Sequence, residues 1–268
     1  MSKPKTYPPK APLPYEELRD VIDLSLWAGQ MLLHFGADSR RIEETVHRLG
    51  TGLGCDWMDI LVSPNALVVT TTSAGEFRTK VRRVVGITVN MGIVDAINTL
   101  SRRVTHGELN RHEVRAELER ISQMHSYYPR WLGILMVGLA CGAFSRLFEG
   151  DLAVFGVTFG AACLAMFLRQ ELQKRYYNTV LVVVVTALCA GLVASLAGVF
   201  DWSAKPQVAL ASAVLLLVPG VPLINAAQDL IQGHIVTGLV RGVWGGIIAL
   251  AIALGLLMAI QVSGVEGL

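Results

Sequence analysis

Six polar residues, Asn225, Gln228, Asp229, Gln232, His234 and Arg241, interrupt an apolar stretch near the end of this 268-residue chain. Asn225, Asp229 and Gln232 are four and three residues apart, so they share a face for as long as a helix continues. An acid and a base close to membrane depth cost a few kcal/mol each when unpaired, which makes Asp229 and Arg241 the natural ion pair. A carboxylate in such a setting can take up a proton, and a guanidinium can hold a substrate carboxylate in a bidentate fork. The alternative is a short solvated turn at the inner interface, with Gly233 separating two helices. Just upstream, Pro219, Gly220 and Pro222 fall inside an otherwise continuous apolar segment, where each proline removes a backbone donor. Backbone freed at membrane depth persists where it is buried in protein or lines a wet cavity, as in the broken helices of transporters; a plain structural kink is the other reading.

These residues need elements to carry them, and charge locates the elements. The chain is 53% hydrophobic and only 16% charged, whereas about a quarter charged is usual. Residues 1–130 hold 17 Lys+Arg and 15 Asp+Glu, and residues 131–268 hold 6 of each, so the deficit belongs to the second half. Apolar stretches there predict five membrane spans at about 131–148, 152–168, 176–200, 208–227 and 235–261, the lengths a bilayer core requires. A single soluble globular domain is excluded. With the front half on the cytoplasmic side, Arg130, Arg169, Lys174, Arg175 and Arg241 fall inside and Arg146 and Lys205 outside, which obeys the positive-inside bias. The N-terminus is then cytoplasmic and the C-terminus periplasmic.

The front half reads as a small α+β domain over residues 15–128, behind a disordered, proline-rich leader at 1–14 that lacks the apolar core of a signal peptide. Two amphipathic helices meet at Gly36, with Asp38 or Ser39 as the second helix's N-cap. Three β-rich runs, 55–63, 66–72 and 77–85, predict short antiparallel strands, and two further helices follow. Residues 129–268 form the five-helix transmembrane bundle with its one Pro/Gly-broken helix. A net charge of +2 and the lack of any basic run with interleaved aromatics argue against nucleic acid. Four cysteines without a CxxC pair indicate neither a disulfide framework nor a metal site, and no cofactor motif is present. Asp38, Ser39, Glu43 and Glu44 are the candidates for chemistry in the front domain. Without HExxH, GxSxG or a Cys/His pairing, a membrane-anchored enzyme is the weaker reading beside a gating or assembly module.

The stretches Gly36-Ala37-Asp38-Ser39 with Glu43-Glu44, Ser63 to Thr71, Tyr128-Pro129-Arg130-Trp131, and Leu215 to Asn225 running on through Asp229, Gly233, His234 and Arg241 carry a resemblance. With them the chain resembles the threonine/serine exporter family, on the side of the YjjP-type large subunits of its two-component branch. That resemblance implies a secondary exporter in a bacterial inner membrane rather than an enzyme, moving a small carboxylate or amino acid. Succinate and related dicarboxylates are expected for the two-component branch, threonine and serine for the fused one. Because the chain stops after five spans, the resemblance also implies a small YjjB-type membrane subunit as partner, in an oligomeric assembly within the lipid bilayer.

Overall fold

The computed structural model describes residues 12–73, 76–124, 128–203 and 205–264. The expected leader at 1–14 falls for the most part outside them, as do the last four residues. Contacts divide the chain into two compact units.

The first unit holds the charged front half and Val221–Gly242. It opens with α1 (Tyr15–His34) and α2 (Ser39–Gly52), continues through β1 (Trp57–Ser63), β2 (Ala66–Ser73) and β3 (Glu76–Arg83), and adds α3 (Met91–Thr105) and α4 (Arg111–Ser122). The strands form one antiparallel sheet in sequence order, and the Pro64-Asn65 turn sets Ser63 opposite Ala66 and Trp57 opposite Thr72. Along β2 burial alternates, turning Leu67, Val69 and Thr71 to the core and leaving their neighbours partly exposed. Leu18, Ile22 and Leu26 from α1, Ile42, Val46 and Leu49 from α2, and Ile97 and Leu100 from α3 complete that core. Helix starts follow local chemistry: Asp38 caps α2 through the Arg41 N–H, Asn90 caps α3, and Asn110 with Glu113 forms a reciprocal capping box on α4.

The second unit contains α5 (Arg130–Leu147), α6 (Leu152–Lys174), α7 (Thr179–Val199), α8 (Pro206–Ala213) and a 3-10 turn at Leu215–Leu217. The C-terminal part of α10 (Ile235–Ser263) also belongs to it. Its core is built from small side chains, among them Ala161, Ala165, Ala187, Ala190, Ala194, Ala209 and Ala213 with Ile248 and Ile252. Small residues let helix backbones approach closely where apolar lipid supplies no driving force for association. Charges mark both ends of the α5–α6 hairpin: Arg130 pairs with Glu171 at one end, and Glu149 pairs with Lys205 at the other. The span expected to end at 168 continues as α6 to Lys174, because Arg130 also donates to Gln170 and Arg169 donates to the Leu216 carbonyl.

Among the described residues four helices, α5, α6, α7 and α10, are long and apolar enough to cross a membrane. A fifth crossing exists if Pro206–Leu217 is joined with α9 (Gly220–Ile231) as one broken span. The break lies at Val218-Pro219. Pro222 does not break a helix, since it is the third residue of α9, where a backbone N–H has no intrahelical partner to lose. The described residues are thus mostly helical, with four to five candidate spans and one small sheet among them. A boundary drawn from charge alone at 128/129 does not place Val221–Gly242 with the front half; the side chains described next hold it there.

Candidate functional site

Between α1 and α2 the chain passes through Phe35, Gly36, Ala37 and Asp38, and most backbone groups in this turn have a partner. Gly36 has φ +87°, a left-handed conformation that costs a residue with a Cβ. Its N–H and that of Ala37 close α1 by bonding the Leu33 and Leu32 carbonyls, a Schellman arrangement. Asp38 then starts α2. What remains unspent are the carbonyls of Gly36 and Ala37 and the first amide of α2, on Ser39.

Three side chains from Val221–Gly242 take those groups. Asn225 Nδ2 donates to the Gly36 carbonyl at 2.8 Å, Arg241 Nη2 to the Ala37 carbonyl at 3.1 Å, and Ser39 N–H to Asp229 Oδ1 at 2.9 Å. Asp229 Oδ2 accepts from Arg241 Nη1 at 2.8 Å, so its two oxygens are divided between the ion pair and the start of α2. A carboxylate at a helix N-terminus is favoured by the free amides and the helix dipole. Asp229 has 0% of its surface exposed and Arg241 7%, so this is a buried, hydrogen-bonded ion pair. Thr237 adds a bond to the Val62 carbonyl at the end of β1.

The pair depends on a tight helical hairpin. α9 ends at a second Schellman turn, in which Gly233 has φ +90° and the His234 N–H returns to the Asp229 carbonyl at 2.8 Å. One turn into α10, Gly238 allows close approach, since a Cβ there would lie 2.9 Å from the Ala226 carbonyl oxygen. That proximity lets Arg241 reach across to Asp229.

The polar series of α9 is split between two surroundings. Asn225 and Asp229 point inward, whereas Gln228 and Gln232 are exposed and line a cleft of about 390 Å³. The spacing that put Gln232 on the Asp229 face fails because α9 stops at Ile231. His234 Nδ1 stands 3.6 Å from Glu43 Oε1 on α2. Burial pushes the Glu43 carboxyl above its ordinary range; the charge of His234 would lower it, and Asp229 and Glu44 add to the rise. Glu44 pairs with Arg40 in solvent, and Ser39 contributes its amide while its buried hydroxyl has no partner. Pro219 stands at the break described above, and Gly220 is the first residue of α9. Sequence reasoning missed the Gly36 and Ala37 carbonyls, Thr237, and Arg169 as the group that satisfies Leu216. The run Gly36-Ala37-Asp38-Ser39 was the available signal for the first two. Among the described residues, no group of three or more His, Cys, Asp or Glu is placed to hold a metal ion.

Several long apolar helices, a bent helix pair interrupted by proline, and a buried acid–base pair held against the turn before α2 define a multi-pass membrane protein of the transporter class. The chain matches the family described as "Putative threonine/serine exporter" (ThrE) over residues 23–263, and it belongs to that family. It is 37% identical over 252 residues to a Klebsiella aerogenes protein named "Probable succinate transporter subunit YjjP", covering 94% of this chain and 97% of the relative. An Escherichia coli K12 protein of the same name is 36% identical over 253 residues, covering 94% and 98%. The "Threonine/serine exporter" of Corynebacterium glutamicum is 24% identical over 250 residues, covering 88% of this chain and 51% of that protein. No solved structure matches the chain.

Proposed function

We propose that the chain is the large subunit of an inner-membrane secondary exporter of small carboxylates, with succinate and related dicarboxylates as substrates. It works with a small YjjB-type membrane subunit that supplies the remaining spans. The relatives of matching length, both named as succinate transporter subunits, support the substrate class and the need for a partner. In this reading residues 15–128 form the cytoplasmic domain, the broken pair Pro206–Leu217 and Gly220–Ile231 forms the fifth span, and the C-terminus is periplasmic.

The observation that carries the mechanism is the buried Asp229–Arg241 pair held to the turn between α1 and α2. Arg241 is a cation whose carboxylate partner can be exchanged: a substrate carboxylate offers the guanidinium the same charge-assisted hydrogen bond that Asp229 makes through Oδ2. Protonation of Asp229 would cancel the charge that holds Arg241 and weaken both bonds its carboxylate accepts, from Arg241 and from the Ser39 amide. A proton and a dicarboxylate thus act on one lock, which couples their movements. Asn225 extends the same site, with Gln228 and His234 at its edge.

The test is efflux from cells that co-express the chain with its small partner, under an imposed pH gradient, with succinate and threonine measured side by side. Succinate efflux that needs both subunits and disappears in Asp229→Asn, with the variant still in the membrane, is the expected result. Unchanged efflux from that variant overturns the coupling role. Threonine efflux without succinate efflux would move the chain to the amino-acid branch, which the family description and the Corynebacterium relative favour.

A further inference from the structure

The cleft of about 390 Å³ lies between α2, α3 and α9 and is lined by four arginines but only two acids. Two of the arginines are compensated: Arg40 Nε lies 2.7 Å from Glu44, and Arg41 Nε lies 3.3 Å from Asp38. Arg48 and Arg102 have no carboxylate partner among the described residues. Arg48 is half-buried and held by neutral acceptors, Asn98 Oδ1 at 3.4 Å and Ser101 Oγ at 3.3 Å, so its charge is oriented without being neutralised. Arg102 follows Asn98 by one helical turn on α3 and so lies on the same face. Across the cleft Gln228 and Gln232, also one turn apart, add amide donors. Thr45 lines the cleft as well; it is fully buried, and its hydroxyl has no partner.

A partly desolvated cation without counter-charge, such as Arg48, is costly, and a concave polar wall that adds the exposed charge of Arg102 suits a small anion bearing two charges. Planar carboxylates match guanidinium forks in pairs, and a second carboxylate on the same molecule would engage the second arginine. We propose that this cleft binds a small dicarboxylate, as a recognition site separate from the Asp229–Arg241 lock. The choice of dicarboxylate over other dianions rests on the export reading above.

The experiment titrates the purified full-length chain in detergent with succinate, butyrate and inorganic phosphate by calorimetry. Saturable succinate binding is expected, with butyrate weaker by about tenfold and affinity falling with salt. Arg48→Gln and Arg102→Gln should each weaken succinate by about tenfold or more. Arg102 is exposed on its helix, so its variant reports on binding even if Arg48→Gln fails to fold. Unchanged affinity in Arg102→Gln, absence of succinate binding, or phosphate binding more tightly than succinate overturns the proposal. Because binding is read without transport, these outcomes are distinct from failure of the export reading, which shows as absent succinate efflux from the wild-type pair.

Discussion

Asp229 is fully buried, and its two oxygens are held by Arg241 and by the Ser39 amide. Removing one partner of a buried ion pair leaves the other charge uncompensated, which costs about 3–5 kcal/mol. Arg241→Ala should therefore destabilise the purified protein by about that amount in a denaturation series, and a double variant with Asp229→Leu and Arg241→Met should recover much of the loss. A double variant no better than the single one would show that the backbone bonds, rather than the charges, matter. Glu43 supplies the pH dependence. Its raised pKa means that the native state holds the proton more tightly than the unfolded chain, so this contribution is full below the ordinary carboxylate value and is lost as pH rises through the raised value. Glu43→Gln keeps a neutral side chain throughout. Its unfolding midpoint should therefore gain on wild type as pH rises above the ordinary carboxylate range, and parallel curves would refute the assignment. His234, Asp229 and Glu44 all act on this carboxyl, so the comparison must be made with them intact.

At the scale of elements, two glycine turns do similar work at different cost. Gly36 and Gly233 both adopt left-handed backbone, which penalises a Cβ by about 1–2 kcal/mol. At Gly233 an added Cβ meets nothing within 4 Å, while at Gly36 it lies 3.2 Å from the Thr88 carbonyl oxygen. Thermal unfolding should accordingly rank Gly36→Ala below Gly233→Ala, and succinate efflux should suffer more from the first, because Asn225 and Arg241 bond to carbonyls of that turn. Equal midpoints would mean that the turn can adjust. The helices were readable in the sequence because caps and apolar periodicity are local: Asp38, Asn90, Asn110 and Gly233 announce their ends. The end of α9 at Ile231 was one of two readings the sequence left open, Gly233 favouring a stop and the polar spacing through Gln232 a continued helix, because spacing alone carries no record of where a helix stops.

For the whole molecule, the decisive property is which side of the membrane each charged segment faces. Glu108 follows α3 and Glu149 joins α5 to α6, and both are exposed. In a cysteine-free background, a membrane-impermeant thiol reagent on intact spheroplasts should label Glu149→Cys directly, and Glu108→Cys only after permeabilisation. The reverse pattern would invert the proposed orientation and place the arginine cleft on the wrong side for cytoplasmic substrate.

By itself the sequence determined the two solvent classes of the chain, because a bilayer requires long uncharged stretches and water requires charge, and both leave their mark in composition. It also singled out Asp229 and Arg241, since ionisable groups are conspicuous where nearly everything else is apolar. Tertiary structure alone decided what these residues meet. The turn at Gly36-Ala37-Asp38-Ser39 lies about 190 positions from Asp229, and its contribution is backbone carbonyls and an amide, which every residue possesses and no sequence pattern distinguishes. The arginine cleft was hidden for a related reason. Arg48 and Arg102 look like ordinary helix-surface charges until folding sets them together and pairs the nearby acids with Arg40 and Arg41 instead.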